Sequence, residues 1–168
     1  KMSETENIMR TIKIEKGVFG VGGIGDNLEK GIKLLELITE RKASRRISAK
    51  RIPSLGVRPK LQVGAIVTIR KEPEKILKRM LSAVDNKLKT KQMSENNFSF
   101  GIKEYIEIPG IEFQRDIGIM GLDVTVVFKR TGRRVKLRKV KTGKIPKRQV
   151  ITKEEIIKFM EENFQTKF

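Results

Sequence analysis

The chain has 168 residues and carries 38 Lys and Arg against 20 Asp and Glu, a net charge of +18. That length allows one domain with a buried core, and so large a cationic excess calls for a polyanionic partner. Cys and His are both absent, which excludes disulfides, thiolate nucleophiles, zinc–thiolate centres and imidazole general bases.

The opening "KMSETENIMR" lacks the apolar core of a signal peptide. Residues 1–8 are expected to form a flexible tail and residues 9–168 a single domain. No apolar run reaches the roughly 18 residues of a membrane span, so a soluble intracellular protein is expected. Ile12 to Val21 reads as a strand. Residues 28–39 read as a helix, with Leu28, Ile32, Leu35 and Ile38 near helical spacing and Asp26 or Asn27 as its cap. Residues 44–51, "SRRISAKR", suggest a cationic edge strand. Pro53, Gly56 and Pro59 mark an exposed loop, and 62–70 reads as the returning strand of a long hairpin. Glu72–Val84 predicts a second helix, with Pro73 in its first turn and Ile76, Leu77, Met80, Leu81 and Val84 on its buried side. Strands are predicted over 97–108 and 122–128. The basic stretch from Lys129 contains Gly132, Gly143 and Pro146 and favours an exposed hairpin or loop. A final helix begins at Thr152, where Glu155 completes a capping box, and turns Ile156, Ile157, Met160 and Phe164 inward. The pattern predicts an α+β fold, an antiparallel sheet covered by helices on one side, with basic hairpin or loop projections.

The charge is concentrated. From Arg41 to Lys71 there are ten basic residues and no acid, and from Lys129 to Arg148 eleven and no acid. The rest of the chain sums to −3. Blocks of like charge repel unless a partner neutralises them, so these two segments point to nucleic acid.

One motif suggests otherwise. Gly20, Gly22 and Gly25 spell G-x-G-x-x-G, the fingerprint of a dinucleotide-binding turn. That fold also needs a buried parallel strand after the first helix, ending in an acid that binds the ribose. Here the next strand is basic and alternating, and no acid occurs between Arg41 and Lys71. The dinucleotide reading fails, and no cofactor is expected. The glycines then serve a tight turn, or let the backbone approach an RNA phosphate. Glu104, Glu107, Glu112, Asp116 and Asp123 cluster in sequence but show no partner that would tune an acid–base pair, so neither catalysis nor a metal site is expected. Phe98 and Phe100 alternate on one strand side. They read first as core residues and second as the stacking pair of an RRM-like regulator of single-stranded RNA.

Six segments, "MRTIKIEKGVF", "GDNLEKGIKLLELIT", "VGAIVTIR", "NNFSFGIKEYIEIPGIEF", "DIGIMGLDVTVVFKR" and "IPKRQVITKEEIIKFMEENF", occur in that order. Together they resemble the large-subunit ribosomal protein family that binds 5S rRNA, number five in the universal naming, in its archaeal branch. The resemblance implies an α+β fold and no enzymatic activity. It implies docking on 5S rRNA and large-subunit rRNA at the central protuberance of a cytoplasmic ribosome. It further implies a loop near the P-site tRNA, neighbouring large-subunit proteins, and an intersubunit bridge to a small-subunit protein. Lys16, Gly22, Thr68 and Arg70 match residues near RNA in that family, and Gly56 and Arg58 match its tRNA-facing loop. Gly20, Arg41 and Leu55 depart from the usual Asn, Gln and Phe.

The expected interface follows. Arg41, Lys42, Arg45, Arg46, Lys50 and Arg51 would neutralise phosphates along one hairpin arm. Ser54, Leu55, Gly56, Val57 and Arg58 would form the tRNA loop. Arg133, Arg134, Lys136, Arg138, Lys139 and Lys141 would enter rRNA as a basic extension, ordered on binding. Lys16, Gly20, Gly22, Thr68 and Arg70 would complete the rRNA contacts.

Overall fold

A computed structural model describes residues 9–168; the tail expected over 1–8 lies outside the described residues. Six strands form one antiparallel sheet in the order β2-β3-β1-β6-β5-β4. They are β1 (Ile12–Gly22), β2 (Ser44–Ile47), β3 (Gln62–Ile69), β4 (Met93–Ser94), β5 (Asn97–Ile102) and β6 (Leu122–Arg130). The helices are α1 (Asp26–Thr39), α2 (Pro73–Ser82), a short α3 (Arg134–Leu137) and α4 (Lys153–Phe164).

Alternation along the strands decides which side is covered. Phe19 and Val21 of β1, Ala65, Val67 and Ile69 of β3, Phe98, Phe100 and Ile102 of β5, and Val124, Val126 and Phe128 of β6 are all buried. Their registers place them on one sheet side. There they meet Leu34, Leu35 and Ile38 of α1, Leu77, Met80 and Leu81 of α2, and Ile156, Met160 and Phe164 of α4. Helix α1 lies so close to β1 that a Cβ on Gly31 would come within 2.7 Å of Val21 Cγ1. The α+β fold with one covered side is therefore as the sequence predicts.

Several local expectations are corrected. Gly20 lies within β1, as the strand read over Ile12–Val21 predicts and against the turn role read from the glycine motif, and β1 also takes in Gly22; β1 is central, and Gly20 pairs with Ile66 of β3 and with Asp123 of β6. The turn is Gly23–Gly25, and Gly25 itself caps α1 at a φ of 61°, with no side-chain cap from Asp26 or Asn27. The strand predicted over 44–51 stops at Ile47, where the register shifts, so Lys50 and Arg51 sit in the loop beyond it. The strand predicted over 97–108 stops at Ile102. Tyr105 then turns fully into the core, and its hydroxyl accepts the Gln114 N–H at 2.9 Å, fixing an irregular 103–121 segment. Strand β4 was not predicted; it hairpins onto β5 through Asn96 at a φ of 61°. The helix at Thr152 is capped as predicted: Glu155 N–H donates to Thr152 Oγ1, and Thr152 N–H to Glu155 Oε2 at 3.0 Å.

Candidate nucleic-acid interface

The helices cover one side of the sheet, and the other side is bare. The register lays out its surface in rows. Ser44, Ile66, Gly20, Asp123 and Gly101 cross the sheet in one row, and Thr68, Val18, Thr125 and Ser99 in the next. Arg46, Gly64 and Gly22 line up towards the hairpin, and Lys16, Val127 and Asn97 towards the other end. Arg70, one residue past β3, continues the alternation of Thr68 and is exposed. The centre of this side is thus rich in glycine and small hydroxyl side chains, with Ile66, Val18 and Asp123 among them, and its margins carry Lys16, Arg46 and Arg70.

What a Cβ would meet separates structural glycines from the rest. At Gly64 it would lie 3.0 Å from the Val21 carbonyl oxygen, and at Gly121 2.8 Å from two carbonyl oxygens. Packing demands those glycines. At Gly20 the nearest atom would be Ile66 Cγ1 at 3.8 Å, and at Gly22 nothing lies within 4 Å. Packing leaves both positions free. Gly20 lies between two paired strands, so its N–H and carbonyl face a neighbouring strand. It offers close approach to the sheet, not the free N–H donors of an anion-binding turn. Asp123, in the same row, is exposed and supplies an acceptor of the kind that an RNA 2′-hydroxyl uses.

The hairpin β2–β3 extends from the Gly22 end of β1. Arg41 and Lys42 are exposed at its base, and Arg45 donates to Gln62 Oε1 at 3.1 Å. Its loop exposes Lys50, Arg51, Ser54, Gly56 and Arg58, and Leu55 is 67% exposed. Val57 does not share this exposure. It is buried and bonded to Ile52, closing the loop on itself.

The second basic segment leaves β6 at the opposite end of β1, where Ile12 pairs with Arg130. Eleven strand residues separate the two cationic ends, about 35 Å at the usual rise. Arg134, Lys136, Arg138, Lys139 and Lys141 are exposed there. Arg133 is held back: it pairs with Glu15, which bulges out of the β1–β6 register, and donates to the Phe128 carbonyl at 3.2 Å. Among the described residues no cluster of acids could hold a metal ion. Phe98 and Phe100 stack on each other inside the core, 5.9 Å between ring centroids, which removes the stacking strand an RRM-like reader needs.

A family model for the C-terminus of the ribosomal L5 family matches residues 62–159. The chain belongs to this ribosomal protein family. It is 40% identical to large ribosomal subunit protein uL5 of Methanosphaera stadtmanae, over 94% of this chain and 96% of the relative. It is 39% identical to that of Picrophilus torridus, over 99% and 97%, and 40% identical to that of Nanoarchaeum equitans, over 94% and 95%. It is thus a structural, non-enzymatic ribosomal protein of archaeal type. Sequence reasoning missed Gly64, Gly101, Ser99 and Thr125 as neighbours of Gly20. The alternation in "NFSFGI" and "LDVTVVFKR" carries that signal once the strands are paired.

Proposed function

We propose that the chain is a structural constituent of the large ribosomal subunit, binding 5S rRNA and large-subunit rRNA at the central protuberance of the cytoplasmic ribosome. Residues 9–168 act as one RNA-binding domain. The observation that carries this reading is the open sheet side, bare at Gly20 and Gly22 without packing need and edged by Lys16, Arg46 and Arg70. RNA rests on that side, and the exposed hairpin cations, Arg41 to Arg51, neutralise its phosphates. The loop Ser54–Arg58 reaches towards the P-site tRNA, with Leu55 presented and Val57 as its internal brace. Other surfaces meet neighbouring large-subunit proteins and a small-subunit bridge protein. Recognition follows RNA shape and 2′-hydroxyls, since the proposed platform is a sheet side and not a helix inserted in a groove.

The test is salt-titrated binding to 5S rRNA with an unrelated folded RNA of equal length as competitor. With about six phosphate contacts, affinity for both falls roughly a thousandfold between about 50 and 200 mM salt, by a rule calibrated on DNA. A preference for 5S rRNA that persists at the higher salt supports the reading. Equal competition throughout overturns 5S recognition.

A further inference from the structure

A cleft of about 320 Å³ opens at the far end of β6, between the strand and the basic segment that follows it. Five cations line it: Lys129, Arg130, Arg133, Lys136 and Lys144. Two are structural. Arg130 pairs with Glu155 of α4 at 2.6 Å and donates to the Arg148 carbonyl at 3.0 Å, and Arg133 pairs with Glu15. These contacts pin the segment against the sheet and leave the cleft a formed feature. The other three, Lys129, Lys136 and Lys144, have no carboxylate partner among the described residues.

A second observation concerns the cleft wall. The Arg130 side chain is only 10% exposed, and its buried Nε–H has no acceptor. A buried donor without a partner is costly. Three ammonium groups without carboxylate partners, set around a cleft whose wall includes the Arg130 guanidinium, describe a site for a multiply accepting anion. A phosphate group has that chemistry. A nucleotide base would need a stacking face, and the one aromatic lining residue, Phe128, is fully buried. Lys129 alternates with buried Phe128 and is exposed on the open side of the sheet, so it joins the RNA platform to the cleft.

We propose that this cleft is a phosphate clamp for an RNA backbone leaving the open side of the sheet, closed by Lys129, Lys136 and Lys144 around Arg130. The inference rests on the RNA-binding reading above and adds a second, built contact at the other end of β1 from the hairpin.

The experiment uses the full chain, with a Lys136→Gln/Lys144→Gln double variant and its Lys→Arg counterpart. Both lysines are exposed, so unchanged melting is expected and is checked by circular dichroism. The Gln variant should bind 5S rRNA more weakly, with the slope of log affinity against log salt reduced by about 1 to 2, and the Arg variant should keep the slope. In parallel, the Arg130 Nε–H proton resonance should shift saturably with 5S rRNA. An unchanged slope in the Gln variant, or an unmoved Arg130 resonance, overturns the clamp. A shift produced equally by inorganic phosphate, with the RNA slope unchanged, also overturns it and assigns the cleft to a free anion. If Lys16→Gln and Arg46→Gln weaken 5S binding while the cleft variant does not, only the clamp fails. If the cleft slope changes but 5S rRNA is not preferred over unrelated RNA, the clamp stands and the 5S reading fails.

Discussion

Replacing Gly20 with Asn separates packing from recognition at one atom position. A Cβ there would lie 3.8 Å from Ile66 Cγ1 and 3.9 Å from the Ala65 carbonyl oxygen, ordinary contact distances. The backbone φ at Gly20 is not positive, so no strain attends a side chain. The fold should therefore tolerate the change within about 0.5 kcal/mol. The new amide would project from the open side, where RNA is proposed to lie. One net hydrogen bond contributes about 0.5–1.5 kcal/mol, which is roughly two- to tenfold in affinity. Gly20→Ala adds the Cβ without the amide and should give no gain. Gly31→Ala is the packing control. Its Cβ would sit 2.7 Å from Val21 Cγ1, an overlap costing about 1–3 kcal/mol, only partly offset by the helix preference of Ala over Gly of about 1 kcal/mol. Urea melts and filter binding to 5S rRNA at fixed salt read both effects. The reasoning is refuted if Gly20→Asn destabilises as much as Gly31→Ala, or if it melts normally and binds no better than Gly20→Ala.

Phe98 is fully buried and stacks between Phe100 and Phe128 at 5.9 and 5.8 Å, so Phe98→Ala should cost about 3–5 kcal/mol in a urea melt. A lost RNA affinity with unchanged stability would instead revive a stacking role. Thr152→Ala removes one half of the α4 capping box and should cost about 1 kcal/mol without altering RNA affinity. Glu15→Gln removes the carboxylate that anchors Arg133. Proteolysis within the 131–148 segment should then quicken while the sheet stays protected, and an unchanged cleavage rate would show that the pair does not hold the segment.

The fold class was legible because hydrophobic periodicity survives pairing. The 3.6 spacing of α1, α2 and α4 and the alternation in β6 map directly onto the buried side. The motif reading placed Gly20 and Gly22 in a turn, against the strand read over Ile12–Val21, because local propensity reads glycines as turns. In a central strand, ladder bonds from β3 and β6 override that preference. The charge blocks were legible as composition, and the hairpin cations are exposed. Arg133 and Val57 were not separable from their neighbours in sequence. Arg133 finds Glu15 across 118 residues, and Val57 is buried by a loop closure onto Ile52. The first contact is too distant in sequence to leave a local pattern, and the second is a closure inside an irregular loop where no periodicity marks the inward residue. The bare centre of the sheet is likewise a product of register: Gly20, Gly64, Gly101 and Ser99 come from three strands that only pairing brings side by side.

The most direct measurement of the central proposal is a map of backbone amide shifts on addition of 5S rRNA, recorded against the same map with an unrelated RNA. The amides of Gly20, Gly22, Thr68 and Gly101, with those of Arg46 and Lys16 at the margins, are expected to shift with 5S rRNA at a salt concentration where the unrelated RNA leaves them unmoved. Those of Leu34 and Leu77 on the covering helices stay in place. Shifts confined to the helices, or to the two cationic ends with the glycine rows silent, would contradict the account.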